Sequence, residues 1–106
     1  MFNAKVPVAL RSLKSSLNDA EARLVHVDIY NPLLDLIQNH EKHGFAVANK
    51  GCCGTGNIEV SILCNKFSKT CPNRSVYLFW DNYHLTERGY NIITDRVLTK
   101  YLKHLV

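Results

Sequence analysis

An aspartate and a histidine stand three residues apart, Asp81 and His84, in the stretch FWDNYHLTERGY that runs from Phe79 to Tyr90. The chemistry open to such a pair is acid–base chemistry. A carboxylate beside an imidazole can accept its Nδ1–H, fix the tautomer and stabilise the imidazolium once the other nitrogen takes a proton. A histidine held this way is the general base that a hydroxyl nucleophile needs. Spacing alone keeps a second reading open, because Asp-x-x-His also occurs in ordinary polar surface turns.

The elements around the pair give its place in the fold, and on the residues alone the polar-turn reading stays the commoner one. SVYLFW, Ser75 to Trp80, is a dense β-branched and aromatic run that predicts a buried strand. Thr86 can cap a helix, with Glu87 favourable in its first turn and Tyr90, Ile93, Val97 and Tyr101 as its buried stripe. Asp81 and His84 therefore fall just beyond the carboxyl end of a strand, where functional groups gather in open parallel sheets. Upstream, Val6, Leu10, Leu13, Leu17 and Ala20 recur at helical spacing, and Pro7 sets the start of the firm helix. LVHVDIY, Leu24 to Tyr30, alternates as a strand does. NPLLDLIQNHEKHG then predicts a short helix with Asn31 as N-cap, Pro32 at the first helical position and Gly44 as terminator. Residues 45–75, rich in Gly, Asn, Ser and Cys, read as a long cross-linked loop with short extended pieces. Helix, strand, helix, loop, strand, helix is the order of an α/β layer with a parallel sheet.

Composition narrows the classes. The chain has 106 residues, one domain or part of one, and at 46% hydrophobic and 21% charged it is globular. No apolar run approaches the roughly 18 residues that span a bilayer, so no transmembrane segment is expected. MFNAKVPVAL lacks the features of a signal peptide, which fits a cytosolic chain and equally a secreted one whose N-terminal part lies outside this sequence. The net charge of +4 is spread along the chain with no basic stripe, so no nucleic-acid partner is expected. His26, His40, His43 and His104 lie at no metal-ligand spacing. Cys52, Cys53, Cys64 and Cys71 contain no Cys-x-x-Cys pair, which argues against a zinc knuckle. Their even count and close spacing point to two disulfides formed in an oxidising compartment, each of Cys52 and Cys53 reaching Cys64 or Cys71. A small metal-binding domain using these cysteines is the rival. GCCGTG is followed by no Gly-Lys-Ser/Thr, so its glycines are expected to permit positive φ in a turn and not to cradle phosphate. Asn73-Arg74-Ser75 is a glycosylation sequon in a predicted loop.

The segments YNPLLDLIQN, KGCCGTG, LCN and above all FWDNYHLTERGY resemble the C-terminal part of a plant GDSL-type esterase/lipase, of the SGNH hydrolase superfamily. The resemblance covers the chain at least from Leu24 onward. It implies part of a flavodoxin-like α/β/α sandwich with a parallel sheet, residues 1–106 forming the C-terminal part of a single hydrolase domain. It implies hydrolysis of acyl or acetyl esters by a Ser-His-Asp triad without metal or organic cofactor, Asp81 being the orienting acid and His84 the base. It also implies an extracellular or secretory location. The family's Gly-Asp-Ser-Leu nucleophile motif does not occur in this sequence, and Ser12, Ser15, Ser16, Ser61, Ser68 and Ser75 lack its context. The chain alone is therefore expected to be inactive, with a truncated scaffold or interaction module as the alternative.

Overall fold

Leu78, at the middle of the VYLFW run, has no exposed surface, and the sheet is built around it. The computed structural model describes residues 1–55 and 64–105, and Gly56 and Ser61 lie outside that range. Strand β2 is Tyr77–Phe79, and parallel to it runs β1, Val47–Gly51, with Val47 beside Tyr77 and Gly51 beside Phe79. β1 is one of the extended pieces expected within the cysteine-rich loop. β2 is shorter than the six residues expected, because the Asn73 side chain accepts the Ser75 N–H and closes a 3-10 turn over Arg74–Val76. The pairing still outruns both strands. Ala46 donates to the Val76 carbonyl (2.8 Å), Cys52 to that of Phe79 (3.0 Å) and Cys53 to that of Trp80 (2.7 Å).

Two helices cover this sheet. Helix α1 is Phe2–Ser16, helix α2 is Tyr30–Gln38, and helix α3 is Glu87–Tyr101. Leu36 of α2, Phe45 and Leu78 form the fully buried core, with Ala48, Phe79, Leu85, Ile92 and Ile93 packed against it. The α3 stripe keeps Ile93, Val97 and Tyr101 half-buried as expected and departs at its first position. Tyr90 is exposed, and the buried position is Gly89, whose missing side chain lets the Leu78 carbonyl and the Leu85 side chain come close. A Cβ there would lie 3.1 Å from the Leu78 oxygen.

Arg88 closes the far side of the sheet. Its guanidinium donates to the carbonyls of Gly44 and Ser75 (2.8 Å each) and of His43 (3.1 Å), and it lies over the Phe45 ring. Gly44 ends the 3-10 turn His40–His43 at φ +81°, as expected of a terminator. Helix α2 begins one residue before the expected cap. The Asp28 carboxylate accepts the N–H groups of Tyr30 (3.0 Å) and Asn31 (3.1 Å), so Asp28 does the work assigned to Asn31.

The N-terminal region departs most from expectation. α1 starts at Phe2, not at Pro7, and ends at Ser16, so Ala20 lies beyond it. Pro7 removes one N–H near the start of an exposed helix, where water satisfies the carbonyl left over. No α1 residue is buried. Leu24–Tyr30 forms no strand: alternation specifies an extended chain, but a strand requires a ladder, and no described strand lies beside it. The Asp28 N–H instead donates to the Tyr101 hydroxyl (3.1 Å). The radius of gyration is 17.6 Å, where a compact chain of this length has about 13 Å.

Candidate active site

The connection from β2 to α3 is held at both ends. Thr86 caps α3 by accepting the Gly89 N–H (3.3 Å), while its hydroxyl donates to the Tyr77 carbonyl (2.8 Å) and its own N–H to that of Leu78 (2.9 Å). Leu85 bridges back to Phe79, and Trp80 N–H donates to the His84 carbonyl (2.8 Å). Trp80 itself is half-buried. What stays free to form a turn is Asp81 to His84, at the carboxyl end of both parallel strands.

Within that turn one carboxylate organises everything. Asp81 Oδ1 accepts the N–H groups of Tyr83 (2.8 Å) and His84 (2.7 Å), the local bonding that short acidic side chains offer in turns. The His84 ring closes on the same group, with Nδ1 2.9 Å from Oδ1 and 3.0 Å from Oδ2. Since an ionised carboxylate only accepts, Nδ1 carries the proton and Nε2 the lone pair. Asp81 is 7% exposed and the His84 side chain 56%, so the acid is buried behind a base that faces outward. Nε2 has no hydrogen-bond partner among the described residues.

Burial of Asp81 favours its neutral form. The hydrogen bond from the His84 ring, those from the Tyr83 and His84 amides, and the charge of the imidazole together outweigh it, and the carboxyl titrates below the usual carboxylate range. Because the native value is the lower one, ionised Asp81 stabilises the fold at every pH above its unfolded value of about 3.9. That stabilisation is lost as pH falls through the native value. Asp81→Asn should therefore lower the urea midpoint at pH 6 and cost progressively less as pH falls below about 4. An equal loss at both pH values would contradict the linkage.

A second aspartate–histidine pair has the opposite character. Asp35 Oδ2 meets His43 Nε2 and Arg96 Nη1, each at 2.9 Å, and Arg96 Nη2 lies 3.3 Å from both His43 ring nitrogens. Hydrogen bonds from Asn39, then Arg96, hold the Asp35 carboxyl below its ordinary range. With a guanidinium against the ring, His43 is engaged in tying α2 to α3, in keeping with the ordinary role expected of it.

The four cysteines pair as Cys52–Cys71 and Cys53–Cys64, so no sulfur is left to ligate a metal. No cluster of three or more potential metal ligands occurs among the described residues. Gly54 takes positive φ (+87°), as expected of that motif, but Gly51 does not. Gly51 lies against the backbone of Asp81, a close approach that its place in KGCCGTG did not reveal. A cleft of about 180 Å³, lined by Ala48, Lys50, Gly51, Phe79, Asp81 and Asn82 among others, opens beside the acid. None of the described serines bonds His84: Ser15 and Ser16 bond within α1, Ser68 bonds Asn65 and Ser75 bonds Asn73. No helix among the described residues is long and apolar enough to cross a membrane.

Comparison with known proteins gives the family of the chain. The family described as GDSL-like Lipase/Acylhydrolase matches residues 1–97. GDSL esterase/lipase At3g14820 of Arabidopsis thaliana is 49% identical over 105 residues, covering 98% of this chain and 29% of the relative. GDSL esterase/lipase EXL3 of the same plant is 44% identical over 107 residues, covering 100% of this chain and 29% of its own length. The chain thus spans less than a third of the curated relatives it matches. No solved structure matches it. With three α-helices and a small parallel sheet among the described residues forming a partial α/β fold, the chain belongs to the GDSL-like lipase/acylhydrolase family.

Proposed function

We propose that this chain is the C-terminal part of a carboxylic-ester hydrolase domain and supplies the acid and base of a Ser-His-Asp triad. One observation carries the reading: His84 Nδ1 is held by the buried Asp81 carboxylate while Nε2 faces outward. In this reading the nucleophilic serine and most oxyanion donors belong to a part of the domain outside this sequence. His84 Nε2 takes the serine proton as the oxygen attacks an acyl or acetyl ester, and returns it to the departing alkoxide. It then takes a proton from the water that attacks the acyl-enzyme and returns it to the serine oxygen as the acid departs, Asp81 stabilising the imidazolium each time. The two bridges support passage through an oxidising, secretory compartment, and the exposed Asn73 would be glycosylated there.

The test compares two preparations on a short-chain nitrophenyl ester. The chain alone should react no faster than an exposed histidine does. Joined to the upstream segment of a matching relative, it should turn over the ester. Serine-dependent turnover by the chain alone would overturn the missing-nucleophile reading, and a joined protein that folds without activity would favour a non-catalytic scaffold.

A further inference from the structure

We propose that Gly51 is a positioning residue for the Asp81–His84 pair, held in place by the doubly bridged cysteines that follow it. The inference rests on the reading of that pair as acid and base, and assigns a role to a segment which that reading leaves idle.

The placement follows from the ladder. β1 reaches the carboxyl end of the sheet at Gly51, and the next two residues continue the pairing, Cys52 N–H to the Phe79 carbonyl and Cys53 N–H to that of Trp80. The last of these bonds lands on the residue before the acid. Gly51 then faces Asp81 directly: a Cβ on it would stand 3.1 Å from Asp81 Cα, 3.1 Å from the Trp80 oxygen and 3.4 Å from the Asp81 carbonyl carbon. These neighbours are backbone atoms, which no rotamer change can withdraw.

Asp81 follows β2 in the chain and its N–H lies 3.4 Å from the His84 carbonyl, so acid and base share one turn, which β1 backs only on the Asp81 side. Asp81 rests on the end of β1, through Gly51 and the Cys53–Trp80 bond. His84 is tied to β2, through the Leu85–Phe79 bridge and the Thr86 bonds to Tyr77 and Leu78. A methyl at residue 51 presses on the backbone of Trp80 and Asp81 and on nothing at His84, so it shifts the carboxylate relative to the imidazole within the turn. The segment cannot yield by sliding away. Cys52 and Cys53 are buried and joined to Cys71 and Cys64, and Cys71 N–H donates back to the Cys52 carbonyl (2.7 Å).

The experiment follows the His84 Nδ1–H proton by NMR in the oxidised chain, which needs no activity, since the bond to Asp81 shelters that proton from water. Asp81→Asn should speed its exchange by about tenfold, because the charged acceptor is gone. Gly51→Ala should speed it by at least about threefold, with cooperative unfolding retained. A folded Gly51→Ala protein with the wild-type exchange rate overturns the positioning role and leaves the pair intact. An unchanged rate in Asp81→Asn defeats the pair itself, a separate failure. If Gly51→Ala does not fold, the double variant Cys53→Ala/Cys64→Ala, which keeps Gly51 but frees its strap, must show the faster exchange. A wild-type rate there overturns the proposal.

Discussion

His84→Ala in the joined hydrolase should leave only the residual advantage over water that binding and oxyanion donors supply, about 10³–10⁴-fold in enzymes with such a triad. The loss should fall on kcat with KM little changed, because the imidazole acts in the transition state and not in holding the ester. Asp81→Asn is the more discriminating substitution. Asparagine keeps an Oδ1 to accept the Tyr83 and His84 amides, so the turn survives. Its Nδ2, in place of Oδ2, donates toward Nδ1 and favours the tautomer with the proton on Nε2, while the neutral Oδ1 holds an Nδ1–H only weakly, so the base is largely lost. A loss on the order of 10⁴ in kcat is expected in a protein that is less stable but still folded. Asp81→Ala should add a stability defect, since it also strips the turn of its acceptor. A joined enzyme indifferent to His84→Ala would sink the triad assignment.

Loss of the outer disulfide should be the largest effect on stability. Cys52–Cys71 closes a sequence separation of 19, and freeing a loop of that length restores about 3 kcal/mol of denatured-state entropy at 25 °C. The inner bridge, Cys53–Cys64, lies within that loop, so its removal alone should cost less than an isolated bridge of its length. Set against total stabilities of about 5–15 kcal/mol for a domain, opening both bridges should leave a marginal fold. Urea unfolding with and without reductant measures this, and coincident midpoints would refute it. Peptide mapping of secreted material should recover the 52–71 and 53–64 bridges and a glycan on Asn73. An unmodified Asn73 would refute the glycan proposal.

The sequence made the site more legible than the fold around it. Asp81, His84 and the Thr86 cap were readable because each acts within a few residues of itself, through a turn, a ring bond and a helix start. Gly51 was not readable as a positioning candidate, because its contact crosses 30 residues of chain and consists of a missing atom. The α3 stripe was misjudged at Tyr90 for a related reason. Burial there is decided by the small Gly89 that lets β2 come near, which hydrophobic spacing does not register. Leu24–Tyr30 shows the limit of periodicity, for Leu24 to Asp28 are half-buried without alternation and Ile29 is exposed, and a ladder depends on a neighbour that no local pattern contains.

The open outline of the chain has a consequence for how its parts would associate. A compact 12.1 kDa protein exposes about 6,000 Å². This chain exposes 8093 Å². The difference, about 2,000 Å² on this part alone, corresponds to about 4,000 Å² over both faces of a joint, the range of obligate interfaces. In the proposed two-part domain, the upstream part therefore meets this one across a joint as large as that between separate subunits. Supplied as two polypeptides, the parts would obey mass action, each gaining stability as the concentration of the other rises above their dissociation constant.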